Sequence, residues 1–405
     1  MAKTRYNDDN PILCSNATSI VDDELDKCVH SSYGDRYNTY VHPFETKKQL
    51  HELNKRLESQ NRIENDSAML LHYHISFNHI SFHHLRLMAK QNIIPSRLQQ
   101  CPLPVCRACM FRKATKRPWR TRHPSNNTHK KAKTPGQCVS VDMLSSPTPR
   151  FVAEMTGNLQ TSRYKHALVF VYHASSYSMV YPMKQGSAEE ALEAKLSFEL
   201  HCQQSNINIC QYHCDKGVFR ANKWINDCRT KGQIITFAGV NAHSMNSVAE
   251  RRIRLLQELT RASMFHAAEK WKTAISVELW PYALRVANLS LNETPHPNLP
   301  NKSSSSNIFT TTTTATNPKW HVPFGCPVYT LKNERANNLP FHKWKTRSDL
   351  GIYLGLSLVH SRRVYLVMNP NTRIVSPQFH LQVNDRFMTV KGDTTPYQWQ
   401  YAQDY

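Results

Sequence analysis

The chain has 405 residues, enough for two or three domains, and carries 51 Lys plus Arg against 30 Asp plus Glu, a formal net charge of +21. A surplus this large points to a polyanionic partner, because such a field attracts phosphate backbones and releases their counterions on binding. No apolar run approaches the roughly 18 residues that cross a bilayer, and eleven cysteines without a secretory signal at residues 1–14 favour a reducing compartment over a disulfide framework.

Residues 1–65 mix acids, bases and polar groups without sustained periodicity, apart from a short predicted helix at 45–57, and read as a leader. A compact metal-bearing segment is expected at 66–122. Within it His74 and His79 are separated by four residues, Cys106 and Cys109 by two, and 26 residues lie between the pairs. Two histidines about one helical turn apart and a Cys-x-x-Cys knuckle are natural tetrahedral zinc ligands, and a predicted helix at 81–91 would close the fold. Zinc would also order a segment too small to be stable alone. His72, His83 and His84 crowd the same region and Cys101 offers a spare thiol, so the cysteines are the firmer half of the set.

Between Arg112 and Lys133 there are nine Lys or Arg residues and no acid, and 123–135 has the composition of a basic linker. Such a run is usually a solvated segment, but its position between two candidate nucleic-acid modules makes Lys113, Lys116, Arg117, Arg120, Lys130, Lys131 and Lys133 expected phosphate contacts.

From 136 to 298 strand and helix patterns alternate. Strands are predicted at 138–144, 166–173 and 178–183, then a helix at 188–202, a strand at 207–215, a helix at 221–230, a strand at 233–237 and a helix at 248–266. This order belongs to an α/β mixed sheet flanked by helices, an RNase H-like arrangement. Asp142 sits in the first strand, Asp215 ends the fourth and Glu250 opens the last helix. Carboxylates hold hard divalent ions while leaving water positions open, and two metals about 3.5–4 Å apart serve both the attacking and the leaving oxygen of a phosphodiester. Asp142 would bridge such a pair, with Asp215 and Glu250 each completing one metal. The helix sets Glu250, Arg254, Gln257 or Glu258, and Arg261 on one side, opposite a buried stripe of Ala249, Ile253, Leu256 and Leu259. Arg251, Arg254 and Arg261 are accordingly expected to meet a nucleic-acid backbone.

The polar tract at 303–314 predicts a flexible Ser/Thr-rich linker at 299–320. Beyond it, strands are predicted at 328–331, 351–356 and 364–368, with a turn at 369–373 leading into 374–383. A small SH3-like β-barrel at 321–388 fits this pattern, followed by a tail at 389–405.

Several motifs occur together in one order: the zinc-ligand spacing, FRKATKRPWRT at 111–121, VSVDML at 139–144, YHCDKGVF at 212–219, GVNAHSMNSVAERRIRLLQE at 239–258, FGCPVYTL at 324–331, and GIYLG followed by VSPQFH. Over about residues 66–388 the chain resembles the integrase region of Ty1/copia-type retrotransposon polyproteins. The resemblance implies an N-terminal zinc-binding pre-integrase module held by His74, His79, Cys106 and Cys109. It further implies an RNase H-like catalytic core using Mg2+ or Mn2+ at Asp142, Asp215 and Glu250, and a C-terminal small β domain. The implied activity is metal-dependent DNA end processing and strand transfer. The implied partners are double-stranded element and target DNA, with RNA second, and a further copy of the chain; the implied location is the nucleus and cytoplasm. No Asp-Ser/Thr-Gly or Tyr-x-Asp-Asp motif is present, which implies a fragment of such a polyprotein or a gene derived from one.

This chain departs from the family at Lys216 in place of Asn, at Met245 and Ser247 around Asn246, at Tyr172 in place of Asp, and at Phe77-Asn78 in place of Leu-Gly. Two other readings stay open. One is a nucleic-acid-binding relic that has lost the chemistry; the other is a hydrolytic RNase H-like nuclease, which would need neither the zinc module nor the barrel.

Overall fold

The computed structural model describes residues 65–112, 136–151, 163–238, 246–271, 274–312, 316–337, 339–340, 342–360 and 364–390, all within the compact unit Ile63–Tyr405. The predicted leader with its helix at 45–57, the basic residues of 113–135 and most of the tail lie outside the described residues. No described helix is long and apolar enough to cross a membrane.

The N-terminal module is helical. Helix α1 (Asp66–Ser76) starts where the Asn65 side chain accepts from Ala68 N at 2.7 Å, satisfying one of the N–H groups that a first turn leaves unpaired. Helix α2 (Phe82–Lys90) is capped in the same way by Ser81, and α3 (Arg107–Arg112) follows the first knuckle cysteine. Leu70, Phe77, Leu85, Met88 and Leu98 fill a small core to which Cys101 also belongs. That thiol is therefore structural, bonded to Leu98 O at 3.3 Å.

The central sheet has the order β3-β2-β1-β4-β5, formed by β1 (Val139–Phe151), β2 (Arg163–Tyr172), β3 (Ser178–Met183), β4 (Gln211–Cys214) and β5 (Ile234–Phe237). The first three strands run antiparallel as a meander, and β4 and β5 pair parallel to β1 and β4. This is the RNase H-like topology. One face packs Val139, Val141 and Phe170 against α4 (Ala188–Gln204) and α5 (Asn222–Thr230) through Phe198 and Trp224. The other packs Leu144, Val169 and Val171 against α6 (Ser247–Lys270) and α7 (Trp280–Glu293) through Leu256, Leu259 and Leu284. The expected apolar stripe of α6 is present, with Ala249, Leu256 and Leu259 buried and Ile253 packed beside them. Between α4 and α5 the fully buried Lys195 is held by Glu199, at 2.7 Å, and by Asp227, a network the apolar patterning did not reveal.

The segment predicted as a flexible linker at 299–320 is instead ordered over most of its described length. Ser304 caps a short helix, α8 (Ser305–Thr310), and Phe309 is fully buried, stacked on Tyr177 at 4.0 Å and edge-on to Tyr172 at 5.6 Å. Averaged composition hides one aromatic anchor among the nine hydroxyl residues of 303–314, and Ser304 serves as a local cap rather than as a spacer.

The C-terminal domain is a five-stranded antiparallel sheet in the order β10-β6-β7-β8-β9, from β6 (Pro327–Leu331), β7 (Ser348–Leu356), β8 (Tyr365–Met368), β9 (Val375–Gln378) and β10 (Leu381–Val383). The run predicted as one strand at 374–383 is thus two, broken at Phe379-His380 and placed on opposite edges. Four strand spacings in a flat sheet would be about 19 Å, whereas the step from Gln378 to Leu381 reaches at most about 11 Å. The sheet must curl strongly enough to bring its edges together, as in a small barrel. It packs directly on α6 and α7 through Ala267, Trp271, Tyr282, Val328, Ile352 and Leu366. Gly325 permits this approach: at φ +78° a Cβ would lie 2.6 Å from the Ala267 methyl.

Candidate functional site

The four predicted zinc ligands converge. His74, His79, Cys106 and Cys109 are buried, and one ligand atom from each lies within 4.8 Å of the others. His74 Nε2 is 3.2 Å from Cys109 Sγ, and His79 Nδ1 is 3.3 Å from both His74 Nε2 and Cys106 Sγ and 3.8 Å from Cys109 Sγ. Tetrahedral zinc with bonds of about 2.05 Å to nitrogen and 2.3 Å to sulfur sets its ligand atoms about 3.3–3.8 Å apart. The group can hold zinc.

The outer contacts suit that role. His74 Nδ1 meets Ile80 O at 2.7 Å, which places the proton on Nδ1 and turns the Nε2 lone pair inward. Phe82 stacks on the same ring at 4.4 Å. Hydrogen bonding with Cys109, joined by His74 and His79, holds the Cys106 thiol far below its ordinary range, and burial pushes His79 down. Thiolate and neutral imidazole are the forms that bind metal.

The histidines do not meet by helical spacing, as the sequence reading supposed. Helix α1 ends at Ser76, and Asn78 and His79 are both left-handed, with φ +54° and +63°. These two residues reverse the chain and return the His79 ring to His74. Asn tolerates this conformation better than other residues with a Cβ, which explains how Asn78 can stand where the related pattern has glycine. It also does more than glycine could. Buried to 2% exposure, Asn78 donates from Nδ2 to Ser290 Oγ of α7 at 3.0 Å and accepts from Phe324 N at 3.2 Å, joining zinc module, core and C-terminal domain at one side chain. Phe77 adds a stack on His321 at 4.0 Å. The competing imidazoles have other uses: His72 pairs with Asp385 at 3.3 Å and His84 contacts Ser81 Oγ at 2.6 Å. In the sequence Asn78 stood out only as a departure from the related pattern, Phe77-Asn78 in place of Leu-Gly, with no sign of its structural role.

Sheet register relates Asp142 to Asp215, and a hydrogen bond from Asn246 ties the start of the Glu250 helix to the same strand. Val141 pairs with Cys214 across the parallel β1–β4 ladder, and the next residues along are Asp142 on β1 and Asp215 just past the end of β4. Alternation sends Asp142 to the face opposite Val141, the face that α6 covers, and Asp215 follows directly on the end of β4. The buried Cys214 thiol reports their proximity: burial raises it first, and the negative charges of Asp215 and Asp142 raise it further. Asn246 fixes the remaining element. Instead of capping its own helix, its side chain donates to Val141 O at 3.0 Å, pinning the start of α6 to the residue before Asp142 and setting Glu250 in the first turn above that strand.

Asp142 Oδ1 accepts from Met143 N at 2.8 Å, and Asp215 Oδ1 accepts from Gly217 N at 3.2 Å. Among the described residues the three acids do not close into a ligand group of the kind the zinc ligands form. Asp215 and Lys216 are exposed and lie just beyond the end of β4, so strand alternation does not govern Lys216. Tyr172 is buried among Val139 and Phe170 on the opposite face of the sheet, away from the acids.

Arg251, Arg254 and Arg261 are exposed on α6. Arg251 folds back to Ser247 O at 2.9 Å, while Arg254 and Arg261 share the Glu250 side of the helix at near-integral turns. Lys113, Lys116, Arg117, Arg120, Lys130, Lys131 and Lys133 lie outside the described residues.

No protein-family model matches the chain. The chain is distantly homologous to two retrovirus-related Pol polyproteins of Arabidopsis thaliana. It is 25% identical to that of transposon RE1 over 283 residues, 69% of this chain and 17% of the relative. It is 25% identical to that of transposon RE2 over 316 residues, 78% of this chain and 19% of the relative. The matched span is therefore less than a fifth of either relative. Among solved structures, the HTLV-2 integrase catalytic core domain in complex with magnesium is similar at 14% identity and a TM-score of 0.32, covering 43% of this chain and 97% of that one. A chain of the simian T-cell lymphotropic virus intasome, complexed with a PP2A regulatory subunit, is similar at 14% identity and a TM-score of 0.34, covering 63% and 80%.

Proposed function

We propose that this integrase-like region of a retrotransposon Pol polyprotein processes DNA ends and joins them to target DNA by metal-dependent phosphodiester transfer at Asp142, Asp215 and Glu250. The observation that supports the reading is the pairing of Val141 with Cys214, the residues just before Asp142 and Asp215, on adjacent parallel strands, with the start of the Glu250 helix tied to Val141 by Asn246. Neighbouring strands are about 4.8 Å apart, a separation that lets two carboxylates address a common divalent ion. Their hard oxygen donors fit Mg2+ or Mn2+. When bound, a metal pair would supply a deprotonated attacking oxygen and stabilise the leaving one.

The chain's own residues would do the rest. Asp142 and Asp215 would move from their backbone contacts at Met143 and Gly217 to the metal ligands' positions. Arg254 and Arg261 would hold the duplex backbone along α6, positioning it without reading sequence. The zinc module, docked on α7 through Asn78 and on α6 through Arg107–Glu269, would fix how the basic segment leaves the core. Action on chromosomal DNA would take the protein from cytoplasm to nucleus, and pairing two DNA ends would require a second copy.

The test is purified zinc-loaded protein with a labelled duplex resembling an element end, with Mg2+ or Mn2+. Strand-transfer product is expected, lost in each of Asp142→Asn, Asp215→Asn and Glu250→Gln and increased by Lys216→Asn. A second reading has its own support, in that the acids do not close on one another and Lys216 adjoins Asp215. If the unmodified protein and all three acid variants prove equally inert with Mn2+ while retaining duplex binding, the chain is a nucleic-acid-binding relic.

A further inference from the structure

Where the zinc module meets the core, basic side chains gather without an acid. Helix α2 opens with His83 and His84 and has no acid in its first turn. Its far end is docked on the stretch that follows α7, through Gln91 Nε2, which donates to Lys302 O at 3.1 Å. That stretch carries His296, fixed by its own N–H to Ser303 O at 3.0 Å. The His84 and His296 rings stand 5.6 Å apart, and the exposed His83 ring lies 6.2 Å from His84. Arg252 of α6 completes the group. Among the described residues it donates one hydrogen bond, from Nη2 to Ser176 O, and forms no ion pair.

Each of the three keeps a donor in reserve. Asn298 N donates to His296 Nδ1 at 3.3 Å, so the proton of that neutral ring is on Nε2. Ser81 Oγ lies 2.6 Å from His84 Nδ1 and can donate to it, which leaves the His84 proton on Nε2 in the same way. Neither Nε2 has a hydrogen-bond partner among the described residues, and both rings are only partly buried, so solvent reaches them. The local field has one sign. Burial lowers His84 to about 4, and every charge that adds to the effect is positive, from His296, His83 and Arg252. Burial lowers His296 as well, with Arg252 adding to it, and pushes Arg252 itself down to about 10. An arginine removed from water normally has a carboxylate beside it. Here no described carboxylate acts on His84, His296 or Arg252.

We propose that His84, His296 and Arg252 form an oxyanion site for a single phosphate group at the seam between the zinc module and the core. Arg252 supplies the charge, and the two Nε2–H groups complete the set of donors. A backbone phosphodiester of nucleic acid and free inorganic phosphate present the same oxygens, and the experiment below separates them. A bound anion favours the protonated form of both histidines. For a phosphodiester, which keeps its charge throughout, affinity therefore grows as pH falls below neutrality. None of the three acids takes part, so the site stands whether or not the core is catalytic.

The test uses the full zinc-loaded chain with nitrogen-15-labelled histidine, the His84 and His296 imidazole resonances being identified by their loss in His84→Gln and His296→Gln. Millimolar inorganic phosphate is compared with chloride at equal ionic strength, and a short DNA duplex is added in a separate series. The occupying anion should move both resonances and raise the pH at which His84 titrates by about 1, equivalent to about tenfold tighter binding to the protonated ring. Arg252→Gln should abolish that displacement and Arg252→Lys retain part of it, with the remaining histidine resonances dispersed as in the unmodified chain to show that each variant folds. Displacement by inorganic phosphate identifies a site for the free anion, and displacement by the duplex alone identifies a site for a backbone phosphate. The proposal is overturned if neither probe moves the two resonances relative to chloride, or if the displacement persists unchanged in Arg252→Gln.

Discussion

Replacing Asn78 tests whether one left-handed side chain holds the three modules together. Asn78→Ala removes the bond to Ser290 Oγ and leaves the buried Phe324 N–H without its acceptor. The first loss is worth about 0.5–1.5 kcal/mol and the second about 1–3 kcal/mol. Alanine at φ +54° adds about 1–2 kcal/mol of backbone cost, for a total of about 3–6 kcal/mol. Asn78→Gly loses the same bonds without the backbone cost, but frees the unfolded chain by about 0.5–1 kcal/mol. Glycine should therefore be the milder change by about 0.5–1 kcal/mol. Urea denaturation of zinc-saturated protein measures both differences, and hydrogen exchange at the Phe324 amide reports the lost bond directly. An alanine variant within about 0.5 kcal/mol of the parent, the scale of an ordinary surface substitution, would refute the reasoning, as would a glycine variant less stable than the alanine one.

Metal analysis should find about one zinc per chain, and chelation should unfold the N-terminal module; stripped protein with an unchanged circular dichroism spectrum would contradict the ligand assignment. Burial, with His296, His83 and Arg252 nearby, holds His84 down to about 4 against an ordinary 6.5. Its folded value lies below its unfolded one, so this contribution to stability is complete above pH 6.5 and fades as pH falls toward 4. By about pH 5 the loss should be about 2 kcal/mol, visible as a drop in urea midpoint that His84→Gln reduces. Duplex binding should weaken steeply with salt, and neutralising Lys130, Lys131 and Lys133 should lower the salt slope by up to about 2.7 if all three meet phosphates. An unaltered slope would make that segment a spacer.

Local signals in the sequence carried the element order, the zinc quartet and the two-faced α6. Strand and helix periodicities are short-range, and β-β-β-α-β-α-β-α is distinctive enough to name the sheet before its pairing is known. The quartet was legible because metal ligands must be particular residue types at particular spacings. Acids are different. Asp142, Asp215 and Glu250 are ordinary residues one at a time, and only the Val141–Cys214 register and the Asn246 bond relate the elements that carry them.

Long-range packing was out of reach of the sequence for a related reason. Phe309 lay in a polar tract whose composition reads as a spacer, and only the presence of Tyr172 and Tyr177 beside it makes it an anchor. Asn78 bridges residues more than two hundred positions away, a partnership no spacing rule contains. The separation of β9 from β10 was likewise invisible, because an uninterrupted β-rich run does not say which edge each half will pair with. The chain's local chemistry thus determined which elements form and which residues make up the first module's metal-binding group. How the three modules weld together, and where the acids stand, was decided by the tertiary structure, because both depend on side chains that meet only after the backbone has folded.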